Sequence, residues 1–244
     1  AKNKRGYHNL AKMSSLAYTD GFYYVPRIDR DVIQRYKEDI IVLTGNLYGE
    51  VPSKILNVGE NQAEEALIWW KEQFGDDLYI ELMRHGQEDE DRVNPVLIEF
   101  AKKHAVKIVA TNNTYYWKQE DANAHDILLC VKDGEKQATP IGRGRGYRYG
   151  LPNQEYYFKS GNEMKSLFKD LPEAITNIQE VVDKIENNKL KANIQKALIQ
   201  KMDGKISLIL VPSLSLLEQT IEDYFNQSKW NEFPAIQELH PRED

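Results

Sequence analysis

Two kinds of apolar block alternate along the 244 residues of this chain. In the first kind, apolar side chains recur at three- and four-residue spacing. Leu10, Met13, Leu16 and Ala17 do so and predict a helix over residues 7–18, ended by Asp20-Gly21, with Pro26 in the loop beyond. Residues 29–33 read as the start of a second helix, because carboxylates are favourable at a helix's positive end. Ala63, Ala66, Leu67, Trp70 and Phe74 form a stripe that predicts a helix over 60–74, stopped by Gly75-Asp76-Asp77. The adjacent Trp69 and Trp70 are read as packing groups rather than a ligand platform. Asn94-Pro95 has the cap and first-turn chemistry of a helix running through residue 104. Further helices are expected over 121–130, from Ser160 with Glu163 at capping-box spacing, and over 172–185.

The second kind of block is short and continuously apolar. Residues 39–45, 78–83 and 106–110 are of this type and predict strands. The first, closed by Gly45, is expected to be buried on both faces. Gly49 and Pro52 are read as a turn leading into residues 53–56. Strand, helix, strand, helix, strand with short connections implies a mostly parallel sheet, either a barrel or an open one. Such folds place their chemistry at the carboxyl ends of the strands. Glu81, His85, Asn113 and Tyr115 stand there, as functional groups or as turn formers and satisfied polar groups.

Composition narrows the picture. A net charge of -6 argues against a surface given over to duplex nucleic acid. One local exception is the segment 138–149, where Arg143, Arg145 and Arg148 are interleaved with glycine and tyrosine. It lacks the Gly-Lys-Ser/Thr ending of a nucleotide-binding loop. Its arginines could grip phosphate while its tyrosines stack on single-stranded bases; the alternative is a solvated loop pairing with surplus carboxylates. The single cysteine, Cys130, falls on the apolar side of its predicted helix and reads as a core residue in a reducing cytoplasm. His125, among Ala124, Ile127 and Leu128, reads as a core or capping histidine. No apolar run has the length of a membrane span. The chain opens on a Lys-Asn-Lys-Arg segment without methionine and reads as a piece of a longer protein. Residues 187–244 are expected to form a small appended unit: a helix over 189–202, a strand over 206–211 and a helix over 214–226.

Three segments in register carry a resemblance to a known family: Glu81-Leu82-Met83-Arg84-His85-Gly86, Val109-Ala110-Thr111-Asn112-Asn113-Thr114-Tyr115-Tyr116, and Asp121-Ala122-Asn123-Ala124-His125-Asp126-Ile127-Leu128-Leu129-Cys130. Together they resemble the N-terminal PHP (polymerase and histidinol phosphatase) domain of bacterial replicative DNA polymerase III alpha subunits. The likeness extends to residues 5–10, 43–50 and 155–160 and covers roughly residues 3–186. It implies an α/β fold: a partial, distorted β/α barrel over 1–186, mostly parallel and lacking its first strands, with a small α/β appendage at 187–244. Active members hold zinc or manganese on histidines and carboxylates and hydrolyse phosphoesters or remove nucleotides. Where metal-binding relatives carry cysteine, aspartate and histidine, this chain has Asn46, Asn113 and Tyr115. An amide oxygen and a neutral phenol are poor substitutes for a thiolate, a carboxylate and an imidazole. Glu81 and His85 remain as a residual pair, too few for a closed site.

The resemblance therefore implies a structural and interaction module in DNA replication, with a degenerate metal site, no catalytic residue and no cofactor. Its implied partners are the remainder of the alpha subunit and a proofreading exonuclease subunit, with single-stranded DNA as a further candidate through the Gly/Arg loop. The alternative is a metal-dependent phosphoesterase or 3′–5′ exonuclease acting at the same place. Polymerisation itself belongs, by resemblance, to regions outside these residues.

Overall fold

The computed structural model describes residues 1–142 and 144–185. Arg143 and the unit expected at 187–244 lie outside them. Helix α1 (Lys4–Thr19) starts where the Asn3 side chain accepts a hydrogen bond from the Gly6 amide at 3.1 Å. Gly6 is required there, because a Cβ would collide with the carbonyl oxygen of Asp39. Helix α2 (Arg30–Tyr36) is capped by Asp29, which accepts from the Val32 amide at 2.9 Å.

Strand β1 (Val42–Leu43) leads through helices α3 (Glu50–Asn57) and α4 (Glu60–Phe74) to strand β2 (Leu78–Leu82). Helix α5 (Glu88–Lys103) then returns the chain to strand β3 (Lys107–Ala110). The three strands form one parallel sheet in the order β1-β2-β3, with Val42 opposite Leu78 and Glu81 opposite Val109. Among the described residues this sheet is open, as in a partial PHP-like α/β fold. All five residues of β2 are buried, as a central strand requires. The core beneath it is built from Leu78, Ile80 and Leu82 of β2, Ala63, Ala66 and Leu67 of α4, and Val93, Leu97 and Phe100 of α5. Full burial of each large aliphatic or aromatic side chain contributes about 1.5–3 kcal/mol.

Three local expectations are corrected. The first strand is two residues long and only half-buried, not a seven-residue strand covered on both faces. Among the described residues it pairs on one side only, and Asp39 enters it with a φ of 62°, outside extended geometry. Gly49 and Pro52 do not make a turn: Gly49 is the N-cap of α3, and Pro52 sits in its first turns. Proline is tolerated there because the early amides have no intrahelical acceptor. Helix α5 begins six residues before Asn94. The run Glu88-Asp89-Glu90-Asp91 fills its first turn, where carboxylates offset the helix dipole. Pro95 therefore lies inside the helix and gives up the bond to the Asp91 carbonyl, a loss of about 3 kcal/mol. Burial of Val93, Leu97, Phe100 and Ala101 on the same helix outweighs it. The Asn94 side chain donates to the Met83 carbonyl at 2.9 Å instead of capping a helix.

Beyond β3 come helices α6 (Ala122–Asp133), α7 (Gly161–Leu167) and α8 (Pro172–Asp183). Ser160 and Glu163 form the expected capping box on α7. Helix α8 covers the free side of β3: Asn177 donates to the Ile108 carbonyl at 2.9 Å, and Tyr79 Oη to Glu180 at 2.7 Å. Arg84, just past β2, grips Asp170 with two bonds of 2.6 and 2.8 Å and lies over the Phe168 ring. That bond holds the Asp170 carboxyl down at about 2. Among the described residues no helix is long and apolar enough to cross a membrane.

Candidate functional site

The carboxyl ends of the three strands converge on one cleft of about 200 Å³. Asn46 and Tyr48 reach it from the loop after β1, Glu81 from β2, and Asn113 and Tyr115 from the loop after β3. Tyr149 and Tyr156 close it from the long connection between α6 and α7. The sheet positions these groups by continuing past its ladder: the Thr44 amide donates to the Tyr79 carbonyl, and the Thr111 amide to the Leu82 carbonyl. The Thr44 hydroxyl accepts from the Glu81 amide at 3.0 Å.

Glu81 is 6% exposed. The Thr111 hydroxyl donates to its Oε1 at 2.5 Å, and the Gly45 amide also donates to it. Burial outweighs these bonds and pushes its carboxyl above the ordinary 4.5.

His85 is fully buried and stands behind the cleft, joining the loops rather than lining the space. Its Nε2 accepts from the Asn113 amide at 3.1 Å, so its Nδ1 carries the hydrogen that is donated to Glu90 Oε1 at 2.7 Å. The Tyr156 ring stacks on the imidazole at 4.5 Å and 6°. Asn153 donates to the His85 carbonyl at 2.6 Å. Glu90 also accepts from the His85 amide at 2.5 Å. Burial alone would raise the Glu90 carboxyl, but the two bonds from His85 hold it below the ordinary value.

Sequence reasoning missed Glu90, Thr111, Tyr149 and Tyr156. Glu90 forms a capping box with Gln87, but glutamine at the cap lacks the Ser/Thr signature that marks the motif. The others come from strand-end or loop positions without periodicity, and only the tertiary fold brings them together.

These residues do not fit a divalent cluster. Both His85 nitrogens are engaged, Asn46 and Asn113 offer amides, and Tyr115 is a phenol whose deprotonation burial opposes. Glu81 is the one carboxylate facing the cleft that imidazole does not already hold. Among the described residues, no three His, Cys, Asp or Glu side chains are grouped to hold a metal, and no lysine, arginine or histidine lines the cleft.

Among the described residues, the Gly/Arg loop reaches the cleft through Tyr149, and its arginines do not line it. Arg148 is buried, and its guanidinium holds Asp126 with two bonds of 2.6 and 2.9 Å. It also donates to the carbonyls of Thr139, Tyr149 and Gln137. Arg148 thus follows the alternative left open for this loop, an arginine paired with a carboxylate, and is the clasp of its own loop. Arg145 is exposed. Arg148→Gln should open the segment, and chymotryptic cleavage at Tyr147 and Tyr149 should accelerate by roughly tenfold or more. Unchanged cleavage would mean that the clasp does not order the loop. Helix α6 is another correction. His125 is half-buried between Tyr115 and Tyr116, whereas Ile127, Leu128 and Val131 are exposed rather than core. Cys130 is buried and free.

An open parallel α/β unit with its polar groups at the strand ends has the organisation of a PHP domain, and residues 1–85 match the PHP domain family. Asn46, Glu81 and His85 fall within that match, while Asn113 and Tyr115 lie beyond it. The wider likeness is to DNA polymerase III subunit alpha. The protein of that name from Borreliella burgdorferi is 38% identical over 190 residues, 78% of this chain and 16% of the relative. Those from Campylobacter jejuni and Treponema pallidum are 38% and 37% identical over 75% and 72% of the chain. The chain is thus homologous to the PHP region of bacterial DNA polymerase III alpha subunits and spans about one-sixth of their length.

Proposed function

We propose that the chain serves bacterial DNA replication in the cytoplasm as the PHP part of a DNA polymerase III alpha subunit. It works there as a structural and interaction module whose strand-end site no longer holds a metal cluster. The observation that carries this reading is the cleft's lining: Glu81 and Glu90 without a lysine, arginine or histidine among the described residues. Glu90 is already held by His85, so Glu81 alone faces the cleft beside amides and a phenol, too few anionic donors to hold the cations that phosphoester hydrolysis needs. This disfavours the phosphoesterase and exonuclease alternative.

The exposed Trp117, Ile127, Leu128 and Val131 support a protein partner, such as the remainder of the polymerase chain or a proofreading exonuclease subunit. Single-stranded DNA is left with a weaker foothold, since Arg148 is committed to Asp126.

The test is elemental analysis of the purified chain after dialysis. Well below one zinc or manganese per chain is expected. A stoichiometric ion coordinated by Asn113 or Tyr115 would overturn the reading.

A further inference from the structure

We infer that the strand-end cleft is a receptor for a guanidinium group. This rests on the reading above, because a metal cluster would occupy the same space. The cleft measures about 200 Å³, whereas pockets for whole small molecules run to roughly 300–1,000 Å³. It therefore suits a group of side-chain size rather than a nucleotide.

Its chemistry selects the charge. Glu81 presents a buried carboxylate that has a hydroxyl and an amide donor but no cation, so a positive guest gains where a phosphate loses. Among the described residues the Asn113 side-chain amide has no hydrogen-bond partner and supplies a further acceptor. Among the described residues the Asn46 side-chain Oδ1 accepts the Tyr48 amide, leaving it a second lone pair. Aromatic faces complete the lining: Tyr115 and Tyr156 meet edge to face at 5.9 Å, and Tyr149 stands at the rim.

Carboxylate and amide acceptors beside tyrosine rings match a planar, weakly hydrated cation with five donors better than a compact ammonium. The guanidinium could come from a small molecule or from an arginine on a docking protein segment; the recognition chemistry is the same.

The experiment follows side-chain amide and tyrosine NMR signals of the chain during titration with millimolar methylguanidinium, with methylammonium as the comparison. An arginine-containing peptide is titrated in parallel. Saturable shifts centred on Asn46, Asn113, Tyr115 and Tyr149 are expected, with methylammonium binding more weakly. Glu81→Gln should weaken binding by about tenfold or more, and Asn113→Leu serves as the second variant if the first is poorly folded. Tighter binding of the peptide than of methylguanidinium assigns the group to a docking segment, and equal binding assigns it to a small molecule. Absence of saturable shifts, equal affinity for methylammonium, or affinity unchanged in a folded Glu81 or Asn113 variant would overturn the inference. Elemental analysis of the same sample separates the two readings. Retained stoichiometric metal sinks the degenerate-site reading, whereas a metal-free chain that ignores methylguanidinium sinks only the receptor.

Discussion

Replacing His85 by alanine is expected to cost the domain about 3 kcal/mol, as when a buried carboxylate loses its charge-assisted hydrogen-bond donor and a buried ring is deleted. The imidazole is fully buried and donates to Glu90 at 2.7 Å, so its loss removes the side-chain donor from a carboxylate that is itself 3% exposed and leaves it the amide of residue 85. The same change deletes the acceptor of the Asn113 amide and the ring stacked on Tyr156. Urea denaturation of the variant and the parent at neutral pH reads the difference. The pH dependence identifies the cause. The imidazole bond, with the amide bond beside it, holds the folded Glu90 carboxyl below its ordinary 4.5 despite burial, and the variant loses the first of these. Their contribution is therefore fully present above that value and disappears as pH falls through the lower folded value. The gap between parent and variant should accordingly narrow in acid. A gap below about 1 kcal/mol at neutral pH, or one that does not change with pH, would assign His85 a packing role only.

Glu81→Gln should move stability the other way. Burial raises the folded Glu81 carboxyl above 4.5, outweighing the bonds from Thr111 and Gly45. Such a group imposes no penalty below its unfolded value. The penalty grows as pH rises towards the folded value and stays constant above it. Glutamine keeps an oxygen for the Thr111 hydroxyl and carries no charge, so the variant should gain on the order of 1–3 kcal/mol at pH 8. The advantage should vanish below the ordinary carboxylate range. Thermal or urea unfolding across that range decides it, and lower stability of the variant at pH 8 would contradict the burial argument. A carboxylate kept at a cost to stability, in a cleft that fits a cation, is the trade expected of a binding group.

Periodicity alone determined much of the architecture. The stripe Ala63-Ala66-Leu67-Trp70-Phe74 marks α4 at both ends, because a helix flanked by glycines has few other places to start or stop. Strands β2 and β3 were legible for a similar reason: short apolar runs between helices bury both faces in a parallel sheet. The polar residues after them marked the end of the sheet at which Asn46, Glu81, Asn113 and Tyr115 meet. Only the tertiary structure decided the rest. The start of α5 depends on Gln87 and Glu90 closing a box around His85, and Asn94-Pro95 carries the same local signal wherever it sits in a helix. The exposure of Ile127 and Leu128 depends on which side of α6 faces Tyr115, Tyr116 and Arg148, which residue spacing does not encode. Arg148 becomes a clasp because Asp126, distant in sequence, comes within 2.6 Å of it. Local propensity reaches a few residues along the chain, whereas hydrogen-bond partners and burial are set by residues that only folding brings together.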